Sequence, residues 1–154
     1  MKSTRILFWA SLGLLMLLVA GMLLGSFNSV MVAYRGAPDH LAGVGFDEIR
    51  ALPGGGDNAV KAIRARRATA ATWAMAYAIL MALVVLGPYR QGKRWAWWAL
   101  LVSLGLPNLI SLARVPLIGT TSGALPSAIG LAILLLGLLA GAPKMFAHKI
   151  EGLD

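Results

Sequence analysis

The sequence predicts an all-α integral membrane protein, an antiparallel four-helix bundle with one extracytoplasmic loop segment containing short helices. Three observations predict it. Of the 154 residues, 58% are hydrophobic and only 13% charged, whereas soluble domains are about half apolar and about a quarter charged. Four apolar runs have the length of a membrane span. The basic residues gather at the ends of those runs, where they set topology. This composition excludes a single water-soluble globule and a disordered chain. Zero Cys excludes a disulfide framework, an iron–sulfur cluster, a thiolate zinc site and a Cys nucleophile. The length fits one domain over residues 1–154.

The first run starts at Ile6, is free of charge to Leu24 and continues to about Met31. Lys2 and Arg5 before it also suit a signal peptide. The run is longer than a signal's apolar region of about 7–15 residues, so a retained helix is expected. The second run is Ala68 to Leu86, the third Trp95 to Ala113, the fourth Leu125 to Ala142. A helix rises about 1.5 Å per residue and the hydrocarbon core is about 30 Å thick, so each run just spans it. Backbone in lipid must satisfy its own hydrogen bonds, which makes these runs helices. The expected spans are 6–31, 68–86, 95–113 and 125–142. Pro107 lacks a backbone donor and is expected to kink the third helix near Leu104 to Leu106. Asn108 and Ser111 follow it as a polar notch, either repairing the freed carbonyls or facing a cavity.

Lys and Arg counts give the orientation. The first helix votes for a cytoplasmic N-terminus through Lys2 and Arg5. The third agrees, with Arg90, Lys93 and Arg94 before it and only Arg114 after it. The fourth agrees through Lys144 and Lys149. The second dissents, because Lys61, Arg64, Arg66 and Arg67 precede it. The majority puts both termini in the cytoplasm of a bacterial inner membrane and residues 32–67 outside. That external segment holds four of the six acids, Asp39, Asp47, Glu48 and Asp57. Phe46 to Leu52 reads as a short amphipathic helix, ended by Gly54, Gly55 and Gly56. Asp57 or Asn58 is expected to cap the next helix, which runs through KAIRARR into the second span.

Lipid tails are as apolar as Leu, so helices in lipid associate through small residues that allow close approach. Gly21 and Gly25 form such a pair on the first helix. Ala70, Ala74, Ala78 and Ala82 form a stripe on the second. Gly130, Gly137 and Gly141 lie along the fourth. Packing within the bundle is expected of these stripes, with docking of a partner subunit as the alternative. Tyr89 to Trp98 reads as an interfacial anchor, because amphipathic rings and basic heads favour the headgroup level. The expected lipid anchors are Arg64, Arg66, Arg67, Arg90, Lys93, Arg94, Trp95, Trp97 and Trp98.

The chemistry is sparse. His40 and His148 lie outside the spans, which removes the usual axial haem ligand from the bilayer. No metalloprotease, nucleophile-elbow, phosphate-loop or dinucleotide fingerprint occurs. The spans contain no Asp or Glu, the residues on which proton relays usually depend. No catalytic residue, cofactor or metal site is expected. Asp39, His40, Asp47 and Glu48 together could ligate a divalent metal, but their spacing is that of a solvated loop. Arg114 invites a pairing with Asp47 or Glu48. A nucleic-acid partner is not expected, for want of a soluble reading surface.

The stretch GPYRQGKRWAWWALL, Gly87 to Leu101, preceded by FDEIRAL, Phe46 to Leu52, resembles small uncharacterised four-helix membrane proteins of bacteria, loosely DoxX-like. Those have a tight basic turn before a Trp-rich third helix. The resemblance implies the fold and topology above and carries over no catalytic residue. The function expected is a non-catalytic accessory or structural subunit of a larger membrane complex, with membrane lipids and partner subunits as its contacts. The alternative is a binder or carrier of a small lipophilic molecule, a lipid or quinone-like ligand. A lipid-modifying enzyme using Asp47, Glu48 or His40 ranks third.

Overall fold

The computed structural model describes residues 2–35, 40–41, 44–54, 56–119, 121 and 123–146. Among the described residues the chain is helical apart from short turns and a minimal antiparallel pair, β1 (His40–Leu41) with β2 (Val44–Gly45). Helix α1 is Lys2–Arg35, α2 is Phe46–Ala51, α3 is Asp57–Val84, α4 is Arg94–Ile118 and α5 is Ala124–Phe146. A π turn, Val85–Tyr89, prolongs α3 without a break. The four long helices are each long and apolar enough to cross a membrane.

Every long helix outruns its apolar run, because the flanking residues continue the backbone ladder. α1, at 34 residues, is about 50 Å long. α1 reaches into the segment read as residues 32–67, ending at Arg35, while α3 starts at Asp57, where the helix carrying KAIRARR is expected to begin. Asp57 does not cap α3. Gly56, at φ 88°, takes the cap position, where a left-handed backbone favours glycine. Asp57 is instead the first helical residue, and its carboxylate accepts from Arg50 Nε at 3.0 Å. Arg50 Nη1 also donates to Asp47 at 2.7 Å, which ties α2 to the start of α3. Asp47 is therefore engaged by Arg50 rather than by Arg114, which lies exposed on the last turns of α4.

α1 packs along both α3 and α5, and α5 also packs on α4. α3 and α4 meet over a much shorter stretch. The core between them holds Leu15, Val19, Val85, Tyr89, Leu100, Leu104, Leu134 and Leu138. The outer faces carry large apolar residues, among them Ile6, Leu24, Leu83, Leu117 and Leu139.

Two of the prolines within the long helices, Pro88 and Pro107, are repaired differently. Pro88 cannot donate to the carbonyl four residues back. The ladder widens there, and Arg90 N donates to Val85 O at 3.1 Å, one residue further than in an α-helix. Gly92, at φ 80°, then closes the turn. In α4, Pro107 frees the carbonyl of Ser103, and the Tyr77 hydroxyl of α3 donates to that carbonyl. The notch residues do not make this repair. Asn108 Nδ2 donates to Leu104 O at 2.7 Å, and Ser111 Oγ accepts from Ser127 of α5 at 2.8 Å. Tyr77 reaches the freed carbonyl because α3 and α4 come together there.

A double-mutant test follows. Tyr77→Phe leaves the Ser103 carbonyl without its donor and is expected to cost about 1–2 kcal/mol, the scale of an interhelical hydrogen bond in a membrane protein. In a Pro107→Ala background the backbone N–H returns, so the cost of Tyr77→Phe should shrink. Equal costs in both backgrounds, read from thermal unfolding in detergent, would refute the assignment.

Candidate functional site

Three features of the described residues are candidates for a role beyond holding the fold. The first is an arginine clamp at each end of the molecule. The last carbonyls of a helix lack intrahelical donors and carry partial negative charge. Arg64 of α3 donates from Nε to Ala33 O at 2.8 Å and from Nη2 to Tyr34 O at 3.0 Å. Arg67 Nε donates to Ser29 Oγ at 2.9 Å. At the other end Arg94 Nε donates to Met145 O at 3.0 Å, and its guanidinium lies 5.9 Å from the Phe146 ring centre. Trp97 Nε1 donates to Leu138 O at 2.8 Å. Four of the nine side chains expected as lipid anchors therefore bind helix backbone or a serine of α1. Arg66, Arg90, Lys93, Trp95 and Trp98 are exposed. Tyr89, expected in the interfacial stretch, is fully buried, because the π turn ends on it against α1.

The second feature is a buried hydroxyl relay. Ser11 Oγ lies 2.6 Å from both Tyr89 Oη and Gly137 O. A carbonyl only accepts, so the Ser11 proton points to Gly137 and Tyr89 donates to Ser11. Gly141 makes room for this chain. A Cβ there would collide with the Tyr89 hydroxyl and lie 2.7 Å from Ser11 Oγ. A Cβ at Gly137 would lie 3.2 Å from Leu15. The α5 glycines thus sit where helices touch. The Ala stripe is split: Ala78 is buried, Ala74 and Ala82 half-buried, and Ala70 exposed, with Ala71 buried in its place.

Gly21 and Gly25 behave differently from the α5 glycines. Both are exposed, and a Cβ on either meets nothing within 4 Å. They pack against none of the described residues, because α1 turns Ser11, Leu15, Leu18, Val19 and Ser26 inward instead. Asn28, one turn beyond Gly25, is exposed as well. It escaped the sequence reading, although a polar residue near the end of an apolar helix is itself a signal. Ser11 and Tyr77 escaped it for another reason, since their partners lie far away in sequence, and for the same reason Tyr89 reads as interfacial.

The third feature is a groove of about 700 Å³ between α1, α4 and α5. Leu17, Gly21 and Met22 form one wall, Pro107 and Asn108 a second, and Gly130 and Ile133 a third. Gly130 lets α5 approach Asn108, whose Oδ1 would lie 3.1 Å from a Cβ at that position. Of the notch pair, Asn108 lines the groove and Ser111 does not.

Asp39 and His148 lie outside the described residues, and His40 is described in its backbone alone. Among the described residues, no group of three His, Asp or Glu comes together as a metal site would need.

Neither a protein-family model, nor a curated protein, nor a solved structure matches this chain.

Proposed function

We propose that this protein is a non-catalytic, multi-pass subunit of a larger membrane protein complex, and that it docks a partner helix on the face of α1 carrying Gly21, Gly25 and Asn28. The observation that carries the reading is the open state of that face. Close approach at small residues and polar contacts between helices are what drive association in lipid. Among the described residues the face serves neither. The large apolar side chains on the outer faces support a lipid surrounding, since soluble monomers rarely expose such continuous surface.

The same proposal places the protein in a bacterial cytoplasmic membrane, with four antiparallel spans and both termini cytoplasmic. Arg64 touching the end of α1 supports that arrangement, because it brings the start of α3 to the end of α1. Arg94 does the same for α4 and α5. Kinship with the small DoxX-like proteins belongs to this proposal too and rests on Gly87 to Leu101. The chain's own lack of Cys makes the topology simple to test. Glu48→Cys should react with a membrane-impermeant thiol reagent on intact cells, and Gln91→Cys only after lysis. The reverse pattern would invert the topology.

Gly25 lies on the docking face but outside the groove, so Gly25→Leu separates the two. It is expected to abolish co-purification of the partner in mild detergent while leaving thermal unfolding of the isolated chain unchanged. Undiminished co-purification would refute the docking face. A second reading, binding of a small lipophilic molecule such as a lipid or quinone, is favoured by the groove, whose walls are apolar apart from Asn108 and Ser127.

A further inference from the structure

At the end of the molecule opposite the Arg64 clamp, the start of α1, the turn after Tyr89 and the end of α5 enclose a recess of about 390 Å³. Arg5, Arg90 and Lys144 line it, each from a different element, together with Thr4, Phe8 and Trp9. No carboxylate is among these lining residues. Three like charges converging on one hollow repel one another, and the repulsion is relieved by an anion between them. Lys144 is held in place by the Phe8 ring, with Nζ 3.5 Å from the ring centre. A cation over a ring face keeps its N–H groups free for a second acceptor. Thr4 adds a hydroxyl donor. Trp9, half exposed, forms an amphipathic wall of the kind found at headgroup depth.

We propose that this recess binds a phosphate-bearing anion, its charge shared by Arg5, Arg90 and Lys144. Arginine offers planar paired donors to phosphate, and lysine a compact point charge. The phosphate belongs either to an anionic lipid headgroup or to a free phosphate compound. The first source rests on the membrane reading above; the second does not. The site differs from the docking face and from the groove, since it shares no residue with either. It also goes beyond surface anchoring, which asks only for cations near the bilayer and not for three of them around one hollow.

The test uses the full chain in phosphatidylcholine nanodiscs doped with phosphatidylglycerol, read by native mass spectrometry as lipid retained on release. A parallel arm titrates inorganic phosphate onto the detergent-solubilised chain by calorimetry. Arg5→Gln and Arg90→Gln remove exposed cations, and Arg35→Gln, at the exposed far end of α1, is the control for general surface charge. Each recess variant is expected to cut retention of phosphatidylglycerol about fivefold, the scale of one basic residue against anionic lipid. The control should leave it unchanged, and thermal midpoints should not move. Sensitivity of inorganic phosphate binding to the same two variants would assign the free anion as the source. The proposal is overturned if neither anion binds, if phosphatidylcholine is retained as well as phosphatidylglycerol, or if Arg35→Gln reduces binding as much as the recess variants. Because Gly25→Leu leaves this recess untouched, failure of the docking face and failure of the anion site are distinguishable.

Discussion

Gly141→Ala is expected to destabilise the protein by about 1–3 kcal/mol, the range for forcing extra volume into a packed interior. Adding a methyl group in mid-helix normally helps, because alanine is favoured over glycine by about 1 kcal/mol. Here the methyl would meet the Tyr89 hydroxyl and Ser11 Oγ, and both are fixed by their mutual hydrogen bond. Gly21→Ala and Gly25→Ala provide the contrast, since their methyl groups enter open space. Those two should be neutral or mildly stabilising in the isolated chain. Intrinsic fluorescence of the five Trp during thermal unfolding would read all three. Removing the hydroxyl first, in Tyr89→Phe, should lessen the cost of Gly141→Ala. A full cost in that background would show that the hydroxyl is not the obstruction.

Ser11→Ala is expected to cost about 1–3 kcal/mol, because it leaves a buried hydroxyl without an acceptor. Tyr89→Phe should cost less, about 1 kcal/mol, since Ser11 keeps its bond to Gly137. The order follows from the direction of the relay: Tyr89 depends on Ser11, and Ser11 does not depend on Tyr89. The double variant is the sharper test. With Ser11 gone, the tyrosine hydroxyl is a buried donor with no partner, so Tyr89→Phe should restore stability in the Ser11→Ala background. A further loss in the double variant would mean that Tyr89 finds another acceptor, and the relay as described would be wrong.

These two predictions mark where the sequence stops being sufficient. The apolar runs alone located the four long helices, because span length is a local property set by the rise of the helix. The short helix over Phe46 to Ala51 was legible from its amphipathic pattern and the glycines that follow it. The use of the small residues was not. Gly21 with Gly25 and Gly137 with Gly141 have the same spacing and the same local context. One pair is open and the other is in contact, and only the rotation of each helix against its neighbours decides which. The basic residues show a similar limit. Arg64, Arg67 and Arg94 lie beside apolar runs as lipid anchors do, yet their acceptors are on other helices. Tyr89 follows a proline in a basic turn, which suits an interface. The wide turn that Pro88 imposes delivers it instead to Ser11, 78 residues away in sequence.

For the site, Asn108 was legible as a polar residue beside a proline in an apolar helix, and it does line the groove. The repair expected of it fails, because Tyr77 supplies the missing donor from another helix. The recess of Arg5, Arg90 and Lys144 was equally hidden. Each residue has an ordinary place at the end of an apolar run, and only the fold shows that the three places are one.

The docking face of α1 is the centre of this account, and native mass spectrometry of the protein extracted gently from its own membrane tests it most directly. The expected result is a defined heteromeric mass, in which this chain is stoichiometric with a second protein. A monomer or homo-oligomer would contradict it, and a reproducible small adduct on that species would assign the function to the groove instead.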